Sequence, residues 1–212
     1  MTWIARYLRS SVGAKHVMAV TGLLLLVFAI VHMLGHLQVF GGREMYNGYA
    51  KFLQDLWEVK WPVRAGLLAL LLVHVILAIG LVARNRAARP QGYAIFKPVV
   101  SSTVGRTMAY SGLVVFAFLS FHIWQFTIHP RADHDTYAMY VGAFRQPLIY
   151  GVYLAGIAML AAHLGHGASS WLQSLGWRHP KYPADKLGPL IAITLFVGYM
   201  VPPTAVLLGV VS

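Results

Sequence analysis

The chain has 212 residues, of which 58% are hydrophobic and 11% charged, far below the roughly one quarter charged in soluble domains. It has no cysteine, which excludes disulfides, thiolate-ligated clusters and covalent haem attachment through Cys-x-x-Cys-His. Seventeen basic residues against six acidic ones give a formal charge of +11. On a soluble chain that would suggest nucleic acid, but here the basic residues lie between apolar runs, so membrane topology and anionic headgroups account for them.

Apolar runs of about 20 residues recur, each long enough to cross a hydrocarbon core of about 30 Å. They predict an all-α integral membrane protein with five transmembrane helices in a single domain over 1–212. The N-terminal MTWIARYLRSSVGAKH is basic and leads into an apolar stretch. That stretch is too long for a signal-peptide core and no small-residue cleavage site follows it, so it reads as the first span, about 17–40. A polar, aromatic connection follows, in which YNGYAKFLQDLWEV suits an interfacial helix with Tyr46, Tyr49, Trp57 and Trp61 in the headgroup belt. The second span runs over about 62–82, with Pro62 at its first helical position. After the basic loop RNRAARPQGYAIFKP come spans at about 107–128, 147–172 and 187–208. Pro202-Pro203 should kink or break the last of these.

Basic residues in the loops set the orientation. Arg6, Arg9, Lys15, Arg84, Arg86, Arg89, Lys97, Arg106, Arg178, Lys181 and Lys186 fall on one side, and Arg43, Lys51, Lys60, Arg64, Arg131 and Arg145 on the other. The excess places the N-terminus in the cytoplasm, and five spans then put the C-terminus outside.

Ten histidines are present. His16, His129, His134 and His179 fall in loops or at span edges, where solvation explains them. His32, His36, His74, His122, His163 and His166 fall within spans, where ionisable groups are costly and point to function; the plain alternative is neutral histidine bonding helix to helix. Rise per residue converts position into depth. His32 and His122 lie late in two outward spans, and His74 and His163 late in two returning ones, giving two pairs at two depths. The interval from His32 to His74 is 42 residues and that from His122 to His163 is 41, a pattern resembling a parallel duplication. Zinc sites favour shorter spacings or carboxylates, and a proton relay would use carboxylates too, yet the spans hold no Asp or Glu. Haem iron, taking one axial imidazole from each of two facing helices, fits better and implies electron transfer. Gly13, Gly22, Gly35, Gly66, Gly80, Gly112, Gly151 and Gly156 would let a flat macrocycle approach, although helix packing explains most of them.

SSVGAKHVMAVTGLLLLVFAIVHMLGHLQVF, NGYAKFLQDL, SGLVVFAFLSFHIWQF and HLGHGASSWLQSLGW resemble the single-chain, five-helix, diheme cytochrome b anchors of succinate dehydrogenases and fumarate reductases. The likeness covers nearly the whole chain. It implies a bacterial cell-membrane protein with two b haems, their iron ligands being His32, His74, His122 and His163. It pairs His74 with His163 at the inner haem and His32 with His122 at the outer one. Many relatives have Asn where His36 stands, and His166 is the second histidine of an HxxHG pattern whose first is the ligand, so both are set aside as ligands and kept, with Lys15, His16, Arg106 and Arg145, as propionate candidates. The resemblance also implies flavoprotein and iron–sulfur partners on the cytoplasmic side, and a quinone, expected to be menaquinone, as the electron partner in the membrane. Glu58, Asp55, His36 and Tyr46 would be near an outer quinone site, although a hydrated interfacial segment explains them too. Some relatives carry an acidic residue near the fourth-helix ligand for proton transfer, whereas here Ala161 and Ala162 precede His163. The rival expectations are a diheme cytochrome b anchoring a hydrogenase or formate dehydrogenase, and a transporter with structural histidines.

Overall fold

The computed structural model describes residues 2–88, 91, 103–129, 135–177 and 184–212. Most of the basic loop at 84–98 lies outside these, as do Arg131, Asp133, His134, Arg178, His179 and Lys181. Among the described residues there is no strand, and nearly all are helical. Five stretches are long and apolar enough to cross a membrane, at 11–55, 57–87, 106–128, 147–174 and 186–207.

A short α1 (Trp3–Arg9) meets α2 (Ser11–His36) at Ser10. The Ser10 hydroxyl donates to the Tyr7 carbonyl at 2.6 Å and accepts from the Gly13 amide at 3.0 Å. It thereby caps α2 in the usual serine manner and starts it earlier than the apolar run alone suggests. A 3-10 turn over Leu37–Gly41 leads into α3 (Gly42–Asp55), which covers most of the connection expected to form a helix. Next comes α4 (Trp57–Ala87). It begins before Pro62, because the amides of Val59 and Lys60 already bond the Leu56 carbonyl; Pro62 is therefore inside the helix and not at its first position. Helix α5 (Thr103–Ile123) ends in a π segment over Trp124–Ile128. A short helix that the hydropathy pattern does not reveal, α6 (Thr136–Phe144), is capped by Asp135. The last two are α7 (Pro147–Ser174) and α8 (Ala184–Leu207). Of the kink or break expected at Pro202-Pro203, the break does not occur. Helix α8 continues to Leu207 with both prolines buried, because losing two amide donors leaves the later bonds intact, such as Leu208 to Thr204 at 3.0 Å.

Side-chain contacts set the directions of the helices. His74 of α4 lies beside Thr21 of α2, and Arg84 reaches the carbonyl of Arg9, so α2 and α4 are antiparallel. Ser111 meets His163 and His122 meets Tyr153, so α5 and α7 are antiparallel too. α2, α4, α5 and α7 form a ring in which α2 touches α4 and α7, and α5 touches α7 and, more loosely, α4. The diagonal partners, α2 with α5 and α4 with α7, barely approach through their backbones. Helix α8 packs outside the ring on α7 and α2. The α7–α8 contact is close at Gly165 and Gly188, where a Cβ on Gly165 would lie 2.6 Å from the Gly188 carbonyl oxygen.

One end of the ring is closed by an aromatic cap that includes Tyr46, Phe118, Tyr137, Tyr140, Phe144 and Tyr153. Much of the remaining apolar surface faces outward, for example Ile76 at 66% and Leu113 at 67% exposure, which is the inverse of a soluble fold and suits a lipid solvent.

Candidate paired-histidine site

Eleven residues of helix make about three turns, so Thr21 and His32 share a face of α2 and lie about 16 Å apart along it. The same holds for Ser111 and His122 on α5. These two levels carry the two histidine pairs.

At the first level, His74 Nδ1 lies 3.2 Å from the Thr21 hydroxyl. That hydroxyl is within donating distance of the carbonyls of Val17 (2.9 Å) and Met18 (3.1 Å). Its proton is thus directed to the backbone, and its oxygen accepts from Nδ1–H of the imidazole. His163 Nδ1 lies 3.1 Å from the Ser111 hydroxyl, which donates to the Met108 carbonyl at 3.0 Å. With both hydroxyl protons on backbone carbonyls, the hydroxyl oxygens match imidazoles protonated on Nδ1, a tautomer that leaves the Nε2 lone pair for a ligand. His74 and His163 are close enough to interact electrostatically. Gly22 and Gly112 give these rings room: a Cβ there would stand 3.0 Å from His74 Cε1 and 3.3 Å from His163 Cε1. They therefore make space for imidazoles, where the sequence suggested space for a macrocycle. Gly66, Gly80 and Gly151 face open space, while Gly13, Gly35 and Gly156 abut Tyr7, Tyr49 and Phe118.

At the second level, the rings of His32 and His122 stand with centroids 5.9 Å apart and planes at 81°. His122 Nδ1 is 3.0 Å from the Tyr153 hydroxyl, which donates to buried Gln125 Oε1 at 3.0 Å. The same tautomer logic leaves His122 Nε2 free to ligate. Gln125 sits on the π segment that begins two residues past His122, the kind of helix distortion often found at functional sites. His32 differs from the other three, because its Nε2 lies 3.2 Å from Nε2 of His36, whose Nδ1 is 2.9 Å from the Tyr46 hydroxyl. Phe28 stacks on His32 at 5.4 Å and Tyr140 on His36 at 5.4 Å. From α8, Tyr199 donates to the Ala29 carbonyl at 2.6 Å, one turn before His32.

Among the described residues, no three His, Asp or Glu side chains are grouped to hold a bare metal ion.

The other candidate residues are dispersed. His36 is engaged with His32 and Tyr46, so its nitrogens are not directed at a propionate. His166 is half-buried, close enough to His163 to interact with it electrostatically. Lys15 and His16 line an open groove with Val12, Met18, Ser170, Gln173 and Ser174, and His16 Nδ1 also meets the Tyr7 hydroxyl. Arg106 and Arg145 are exposed. Of the quinone candidates, Asp55 pairs with Lys51 at 2.8 Å on the surface and Glu58 is exposed. Tyr46 is 5% exposed and belongs to the second histidine level. It is no headgroup anchor, because the 3-10 turn and α6 pack against its helix; Trp57 and Trp61 remain exposed as expected. Nothing in their residue type marks Thr21, Ser111, Tyr153 or Gln125 as site residues in the sequence alone. For the first two a signal was present, since Thr21-Gly22 and Ser111-Gly112 stand 90 residues apart, as do His32 and His122.

No family model matches the chain, and neither a curated protein nor a solved structure matches it.

Proposed function

We propose that this chain is the membrane anchor and electron-transfer subunit of a succinate:quinone oxidoreductase, holding two b haems on His74 with His163 and on His32 with His122. The observation that carries the reading is the placement of two imidazole pairs on diagonally opposite helices of a ring, three of the four rings presenting Nε2. The donor set fits haem, which neutral imidazoles from two facing helices would hold. Held by these histidines, haem would supply a one-electron carrier.

The chain's own groups perform three tasks. Thr21, Ser111 and Tyr153 fix imidazole tautomers, and fixing a ring in advance removes the cost of orienting it on binding. The aromatic cap at the second level excludes water from His32 and His122, which lowers the local dielectric around any charge placed there. His36 and Tyr46 form a polar chain from His32 into that cap, and His36 must release His32 Nε2 before it can ligate. By the similarity in HMLGHLQVF and HLGHGASSWLQSLGW, a flavoprotein and an iron–sulfur protein dock on the basic, cytoplasmic face, and quinone is the partner within the bacterial membrane.

Affinity purification in mild detergent tests the assignment of the partner. Succinate-dependent quinone reduction by an eluate containing a flavoprotein and an iron–sulfur protein is expected. Recovery with a hydrogenase or formate dehydrogenase instead, or with no redox partner, would sink the succinate reading.

A further inference from the structure

The two halves of the chain repeat more than their histidines. Thr21-Gly22, Phe28 and His32 on α2 recur 90 residues later as Ser111-Gly112, Phe118 and His122 on α5. The return-helix histidines, His74 and His163, recur at almost the same interval. The contacts repeat with the residues. In each half the hydroxyl of the outgoing helix meets Nδ1 of the return-helix histidine, at 3.2 Å from Thr21 and 3.1 Å from Ser111. In each half the following glycine leaves room for that ring, and the phenylalanine lies against the histidine of its own helix. Thr21 is 5% exposed and one of few buried polar side chains among the described residues. A buried mid-helix hydroxyl can satisfy itself on a backbone carbonyl of the preceding turn. Both hydroxyls do this, and both nevertheless use the remaining lone pair on a histidine of another helix.

From this symmetry we infer that Thr21 and Ser111 are matched positioning residues for the first-level histidines. Each accepts the Nδ1 proton of one imidazole, holds the ring with Nε2 turned away from its own helix pair, and strengthens that nitrogen as a donor. The inference rests on the haem reading for its redox consequence, but the tautomer part stands without it. An accepted Nδ1–H bond raises ligand basicity, which favours ferric over ferrous iron, so losing it raises the midpoint potential. The second level is built differently, with Tyr153 on one side and His36 on the other, so its potential should be independent of both hydroxyls.

The test is a potentiometric titration of the purified chain with Thr21→Val, Ser111→Ala, the double variant, Thr21→Ser and Tyr153→Phe. The first two are expected to raise the same one of two haem components, the double variant to raise it further, and Thr21→Ser to restore the parent value. Tyr153→Phe should move the other component. Loss of one haem in Thr21→Val with full retention in Thr21→Ser supports the inference as well. Unchanged potentials in Thr21→Val and Ser111→Ala, movement of different components by the two, or equal movement of both would overturn it. If the parent chain carries no haem, the functional reading fails, and nitrogen NMR of labelled histidine decides the inference alone. Protons on Nδ1 of His74 and His163, released in Thr21→Val and Ser111→Ala respectively, are expected. Protons on Nε2 in the parent chain would overturn it.

Discussion

Replacing His74 or His163 by Ala should remove the haem held at the first level and leave the other, because each proposed haem draws one imidazole from each member of its own pair. His122→Ala should likewise leave one haem. His36→Ala is expected to keep both, since it frees His32 Nε2 from the contact at 3.2 Å. Haem quantitation per chain checks all four variants, and retention of two haems in His122→Ala or loss of one in His36→Ala would reassign the second-level ligand. The four ligand candidates were legible in the sequence because histidine is rare in lipid and because depth follows from helical rise. Their partners were not. A Thr or Ser inside an apolar helix resembles packing glue, and Tyr153 resembles any aromatic residue; only contacts across helices distinguish them. His36 was set aside by resemblance alone, which gave no hint that it would lie against the nitrogen of His32.

At the scale of elements, the aromatic cap is fastened by one carboxylate. Asp135 accepts from the Ala138 amide at 2.9 Å as the α6 cap, from the Asn47 side chain of α3 at 2.9 Å, and from Arg43 at 2.8 Å. The Ala138 amide foremost, then Asn47, with Arg43 assisting, hold its carboxyl below its ordinary value of 3.8. A depressed carboxylate contributes its stabilisation above the unfolded value and loses it as pH falls through the folded one. Amide-exchange protection in α6 should therefore persist from neutral pH down to about 4 and decline only below it; loss of protection at pH 5 to 6 would contradict this role. The α7–α8 contact offers a second check. Gly165→Val pushes a branched side chain against the Gly188 carbonyl and should destabilise the chain by about 1–3 kcal/mol, seen as a lower melting temperature in detergent. Helix α6 was not legible in the sequence, because nine residues between spans have too little pattern and the cap depends on contacts with α3. The π segment was not legible either, since nothing in WQFTI breaks helical periodicity.

On the scale of the whole molecule, five long apolar helices were legible from run length, and the structure adds how four of them close into a ring with α8 outside it. The ring places the histidine pairs on its diagonals: neighbouring helices touch along their backbones, while the diagonal helices α2 and α5 meet through the rings of His32 and His122. The 90-residue repeat agrees with that geometry from the sequence side, since two like hairpins facing one another place equivalent residues such as His32 and His122 opposite one another. Neither feature by itself names the electron donor or the acceptor, which is why partner recovery carries that part of the reading. Both bear on the number of haems held. The most direct measurement is the visible spectrum of the purified chain, oxidised and then reduced with dithionite, with haem extracted and counted against protein. The account predicts a b-type alpha band on reduction and two haems per chain; a featureless visible spectrum, or a protein folded without haem, would contradict it.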